Sequence, residues 1–238
     1  MKLLDFNQFQ RSPQEKTETF DKKEALDINL ARLNHLKSLN LNLAGKRVVD
    51  TGCGVGHLAQ FFVQQDCDIL GLEGRPENIA ELKKKYPGLK CALADVEQDD
   101  LSKFGEFDVV FCYGLLYHTE NPALVIEKLS GICQELILLE TCITDYPEPL
   151  LRYIEETGTY SQALRGLGSR PTPSLVVSLL KFNGFKHVYL PKYLPNHQDF
   201  EFKFQGDLSY QKNGHNIRQI FIATKDYLLA NDNLIRVY

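Results

Sequence analysis

Three groups of residues in this chain have the types and spacing to do chemistry. The first is VVDTGCGVG, residues 48–56, an apolar run ending in Asp50 and followed by Gly52, Gly54 and Gly56. Glycines allow a tight turn and close approach of a ligand to the backbone, and the start of a following helix offers unpaired N–H groups. Glu73 closes the next apolar run, where an acid can accept hydrogen bonds from both hydroxyls of a ribose. The second group is FCYGLLYHTENP, residues 111–122. His118 is its candidate general base, because an imidazole titrates near neutrality, and Tyr117 is a pocket wall that would bind substrate. Glu140, ending a later apolar run, belongs to the same crevice and would orient an acceptor hydroxyl or amine. The third group is His197 with Asp199, flanked by Tyr193 and Phe200, which would meet a polar acceptor if their loop folds over the site. His215 and Arg218, at a strand entrance, are weaker candidates.

The glycine loop departs from a dinucleotide fingerprint. His57 stands where a last Gly or Ala belongs, and the third glycine arrives one position early. Asp50 would repel a pyrophosphate and suits a ligand with a cationic end. These features point away from NAD and toward S-adenosylmethionine, whose amino group and sulfonium are positive. No His/Asp/Glu cluster has metal-ligand spacing, so no metal is expected.

Such residues need a frame. Short apolar runs recur at 47–52, 68–73, 90–96, 107–114 and 135–140, with helical stretches at 56–65, 76–86 and 122–132 between them. Strands alternating with helices predict an α/β fold with a mostly parallel sheet covered on both faces. Residues 24–43 form an amphipathic helical pattern within a lead-in, 1–45. The alternation breaks at 143–170, which reads as a lid insertion with a helical LLRYIEE piece and the basic, aromatic residues Arg152, Tyr153, Tyr160, Arg165 and Arg170. That character suits an anionic or sugar-like acceptor, and Arg170 is taken as substrate-binding. A helix over 173–183, strands over 185–190 and 217–224, a loop insertion over 191–216 and a tail over 225–238 complete the chain. One sheet of seven strands is expected, in a domain spanning 46–224.

Composition agrees with an ordinary globular protein: 238 residues, 43% apolar and 24% charged, with formal net charge −4. That size buries a core without staples. The slight negative charge lacks the basic footprint typical of nucleic-acid binding. No run of 18 apolar residues exists, and the two-leucine patch near the N-terminus is too short for a signal peptide, so no membrane partner is expected. Six cysteines without CxxC spacing indicate a reducing compartment, the cytoplasm.

On the residues 48–56, Glu73 and Asp95, the chain resembles the class I S-adenosylmethionine-dependent methyltransferases. The resemblance runs motif by motif over 46–142 and extends to 224. It implies a Rossmann-like fold of seven strands with the last antiparallel, and S-adenosylmethionine as cofactor. It also implies that Asp50, Gly52, Gly54 and Gly56 line the methionine moiety and that Glu73 binds the ribose. Asp95 with the Val96 backbone would bracket the adenine, and Tyr113 and Gly114 would lie under the methionine end. GLLYHTENP and LLETCITD are also similar to a subgroup that includes the tRNA wobble-uridine carboxymethyltransferases. The first expectation is therefore methylation of a small-molecule hydroxyl, on a sugar or secondary metabolite. The alternatives are a tRNA-modifying enzyme, with nucleic acid as partner, and a cofactor-binding protein without turnover.

Overall fold

The computed structural model describes residues 18–156 and 161–238; Tyr160 and the N-terminal MKLLDFNQFQRS lie outside them. Helix α1 (Lys23–Ser38) precedes five strands that pair in parallel: β1 (Arg47–Thr51), β2 (Asp68–Glu73), β3 (Lys90–Leu93), β4 (Phe107–Tyr113) and β5 (Cys133–Cys142). Helices α2 (Ala59–Val63), α3 (Pro76–Lys85) and α4 (Pro122–Ile132) connect them. Proline opens α3 and α4, where its missing N–H costs nothing, and Asn121 Oδ1 caps α4 by accepting from Leu124 N at 3.1 Å.

The central strands β1, β4, β5 and β11 are buried on both faces, and their period of two divides the core between the two helical layers. Val48, Val109, Phe111, Leu138, Ile220 and Ile222 pack with Leu36, Phe62 and Leu82 of α1, α2 and α3. Their neighbours Val49, Val110, Ile137, Leu139 and Phe221 pack on the opposite side with Val125 and Leu129 of α4. Val176 and Leu180 of α5 (Pro173–Phe182) join that second layer.

Two differences from the expectation concern elements. LLRYIEE is not helical. Leu151–Glu155 is strand β6, paired antiparallel with β7 (Leu167–Pro171). A helix of two turns is marginal in isolation, whereas pairing satisfies both backbones at once. The main sheet has eight strands, because the tail adds a short edge strand. After β8 (His187–Pro191), a small hairpin of β9 (Gln211–Lys212) and β10 (His215–Asn216) precedes β11 (Arg218–Thr224) and β12 (Leu234–Arg236). The order is β12-β8-β11-β5-β4-β1-β2-β3, with β11 antiparallel to both β5 and β8.

The order reverses between β4 and β1. Loops leaving the carboxyl ends of β1 and β4 therefore diverge there and open a crevice. Antiparallel β11 brings its first residue, Arg218, opposite Cys142 at that same edge.

Candidate active site

Over the ends of β1 and β2 the chain turns back on itself. The N–H groups of Gly52 and Cys53 donate to the Leu72 carbonyl at 2.8 and 3.0 Å. Gly52, Gly54 and Gly56 have φ of 70°, 54° and 88°. The positive φ at Gly54 favours glycine, and a Cβ there would sit 2.9 Å from the Phe20 ring and displace it. Glu73 is tied to this loop: Oε2 accepts from Gly54 N at 3.0 Å and Oε1 from Arg75 N at 2.9 Å. Gly52, Gly54, Glu73, Asn78, Val96 and Gly114 line a cleft that Phe20, Leu115 and Leu164 narrow with apolar side chains. Gly56 stands back from it, against Leu82, Tyr86 and Leu89.

Asp50 lies buried beneath the loop, and its Oδ2 has no hydrogen-bond partner. Burial, and then the charge of Glu73, push its carboxyl up to about 7. Burial also raises Glu73, against the N–H groups of Arg75 and Gly54 and the Asn78 side chain. Two neighbouring acids held above their ordinary range would both be relieved by a cationic group. The donor set therefore fits the positive methionine end of S-adenosylmethionine and opposes a pyrophosphate. The hydroxyl of Tyr113 and Oδ1 of Asn78 are likewise buried without partners.

Asp95, at the far end of the cleft, makes two kinds of contact. Its Oδ1 accepts from Glu97 N at 2.9 Å, and its Oδ2 pairs with Arg165 at 2.7 Å. Arg165 also pairs with Glu97 and Glu120. Arg75 donates to the carbonyls of Gln162 and Ala163 at 2.9 and 3.2 Å. Five polar contacts made by these two arginines thus hold residues 162–165 over the cleft.

His118 closes the 3-10 turn Leu116–His118 after β4 and lines the cleft, half-buried. Its Nδ1 pairs with Glu156 Oε2, which also accepts from Ala163 N at 2.9 Å, while Glu156 Oε1 accepts from Arg170 at 3.0 Å. Burial depresses the His118 imidazole, against the opposing pull of Glu156. Burial alone would raise the Glu156 carboxyl, but His118, the Ala163 N–H and Arg170 outweigh it and hold it below the ordinary value.

Four of the expected acceptor contacts lie elsewhere. Glu140 is fully buried, with Oε2 on Arg32 at 2.6 Å and Oε1 on Arg218 at 3.0 Å, so both oxygens are engaged inside the protein. Burial would raise its carboxyl, yet the two guanidiniums lower it. Arg170 is buried too, donating to the Tyr117 carbonyl at 2.8 Å and to Glu156. His197 accepts from Asp199 N at 3.2 Å and lines a separate groove between α1 and residues 193–197. Tyr117 is buried behind the residues that line the cleft, and the guanidiniums of Arg170 and Arg218 lie over its ring at 5.1 and 4.8 Å. Arg152 is remote, donating to the Leu208 carbonyl and lying over the Tyr210 ring.

Sequence reasoning passed over Glu156, Arg32, Asn78 and Phe20. Glu156 stood inside a run read as helix. Asn78, in the first turn of α3 after Glu73, carried a signal: a polar residue facing back toward a strand-end acid.

Residues 49–135 match a family described as a methyltransferase domain. The chain is 32% identical over 115 residues to a ubiquinone biosynthesis O-methyltransferase of Acinetobacter baylyi, covering 46% of this chain and 47% of that one. It is 34% identical over 110 residues to the enzyme of the same name from Dechloromonas aromatica, covering 44% and 47%. The chain thus spans about half the length of the curated relatives it matches. Among solved structures, the N-terminal domain of EvdMO1, in the presence of SAH and D-fucose, superposes with TM-score 0.64 at 19% identity, over 86% of this chain and 84% of that one. Magnesium protoporphyrin IX methyltransferase from Synechocystis PCC 6803, with bound SAM, gives TM-score 0.55 at 18% identity over 86% and 85%. These likenesses show the fold, that of the class I methyltransferases. No helix among the described residues is long and apolar enough to cross a membrane.

Proposed function

We propose, for a chain carrying a methyltransferase domain on the class I fold, that it transfers a methyl group from S-adenosylmethionine to a hydroxyl of a small molecule. Residues 46–224 are the catalytic unit in this reading, and the six unpaired thiols suit the cytoplasm. The observation that carries the proposal is Asp50, a buried acid with an unpartnered oxygen beneath a glycine loop, beside a second raised acid, Glu73.

In this reading Glu73 holds the ribose, and Asp95 and the Val96 backbone border the adenine. Gly52, Gly54 and Gly114 admit the methionine portion, with Asp50 opposite its charge. When bound, S-adenosylmethionine supplies a methyl group already attached to a good leaving group. Alignment within the cleft can then contribute on the order of 7–11 kcal/mol of the barrier reduction. His118 takes the acceptor's hydroxyl proton at Nε2, a step worth roughly 10²–10⁴-fold. Arg165 is engaged by Asp95, Glu97 and Glu120, Arg170 by Glu156, and Arg32 and Arg218 by Glu140, so these four guanidiniums are already paired with carboxylates and a neutral hydroxyl acceptor asks nothing further of them.

The test incubates the protein with methyl-tritiated S-adenosylmethionine and a cell extract, then separates RNA, protein and small molecules with and without RNase. Label in an RNase-resistant small-molecule fraction, absent with Gly54→Arg, is the expected outcome. RNase-sensitive label would replace this reading with a tRNA substrate.

A further inference from the structure

We infer that Glu156, delivered by the insertion after β5, is a positioning residue that fixes His118 as the Nδ1–H tautomer and turns Nε2 toward the cleft. The inference deepens the proposed methyl transfer and rests on His118 being its base. Neutral imidazole carries its proton on one nitrogen, and the group bonded to the other side decides which. Glu156 is an acceptor only, as its lowered carboxyl requires. The hydrogen bond to His118 Nδ1 is therefore donated by the ring. Nε2 is left with its lone pair, and none of the described residues forms a hydrogen bond to it.

Besides His118, two donors hold the carboxylate, and a third bond holds the residue's backbone. Arg170 NH2 donates to Oε1 at 3.0 Å, Ala163 N to Oε2 at 2.9 Å, and the backbone N–H of Glu156 donates to the Gly166 carbonyl at 2.8 Å. A Cβ on Gly168 would lie 2.5 Å from Glu156 Oε1 and 2.6 Å from the Tyr117 carbonyl. The β6–β7 hairpin therefore seats the carboxylate against the His118 turn at a position where only glycine fits. The charged groups facing the imidazole are Glu156 and Arg170 from the insertion and Arg218 from β11, with the Tyr117 ring 4.0 Å from its centroid. Glu156 is the one among them that favours the protonated ring; both arginines oppose it. The base and its orienter thus come from separate parts of the chain, 38 residues apart.

The experiment is long-range 15N NMR of the histidine rings in the full chain saturated with S-adenosylhomocysteine, for wild type, Glu156→Gln and Glu156→Asp, with pH–rate profiles for each. Wild type is expected to show His118 protonated at Nδ1. Glu156→Gln should lower kcat about 10²-fold, within what a general base supplies. It should also move the acidic inflection of the profile to lower pH, because the group that favours the imidazolium is gone. Glu156→Asp should recover part of kcat. A wild-type ring protonated at Nε2 overturns the inference without any variant, as does a Glu156→Gln profile lower in amplitude with its inflection unmoved. Failure of the underlying reading is distinct: His118→Ala would keep full activity while the wild-type tautomer stayed at Nδ1.

Discussion

At the scale of single residues, Asp50 links cofactor recognition to stability. Its carboxyl has an ordinary value of 3.8 and is pushed up to about 7 in the fold by burial, then by Glu73. Between those values the folded chain holds a proton that the unfolded chain has released, so the protein loses stability as pH rises through this window and regains none above it. Asp50→Asn removes the titration. Cofactor-free Asp50→Asn is expected to melt at a higher temperature than wild type at pH 8, with the gap closing toward pH 4. The same variant should bind S-adenosylmethionine more weakly at pH 8 by calorimetry. A gap independent of pH would show that the charge of Asp50 is not what costs stability. Glu140 obeys the opposite rule: its two guanidiniums keep it ionised, and it contributes rigidity around Tyr117 rather than proton transfer.

At the scale of elements, α1 is more than a cover. Its Arg32 crosses 108 residues of sequence to reach Glu140 at the end of β5, and both side chains are buried. Removing one member of a buried pair leaves a charge without compensation, at a cost of about 3–5 kcal/mol. Arg32→Met should lower the unfolding free energy by that amount in urea titrations, and a loss below about 1 kcal/mol would mean that Arg218 alone suffices for Glu140. The strands that frame the site were legible because burial on both faces writes uninterrupted runs of Val, Ile and Leu, and the glycine loop because positive φ favours its residue type. The insertion was not. LLRYIEE is made of good helix formers, and its partner LGSRP has no β-branched residue, so the pairing is decided by the neighbouring backbone rather than by local preference. Glu156 was hidden for the same reason, since its meaning depends on a histidine in another element. Arg170 was visible as a cation but not as the partner of an acid fourteen positions earlier.

At the scale of the whole molecule, the sheet reversal between β4 and β1 collects the carboxyl ends of five parallel strands along one edge, and antiparallel β11 returns Arg218 to it. That return has a consequence for biogenesis. β11 lies between β5 and β8, although it is made after both. A ribosome adding about 5–20 residues per second therefore exposes an unpaired β5 edge until residue 224 emerges. During that interval the Glu140 carboxylate lacks one of its two cations, and an apolar strand edge is open to other chains. A chain ending at residue 210 is expected to collect in the insoluble fraction while the full chain stays in the supernatant, measured by sedimentation after synthesis in a cell-free system. Adding a synthetic 211–238 peptide during translation should return part of the short chain to solution; no return would mean the first five strands misassemble independently of β11. The protein's latest-made long strand is thus the keystone of its sheet, and its yield in the cell depends on how long the edge waits for it.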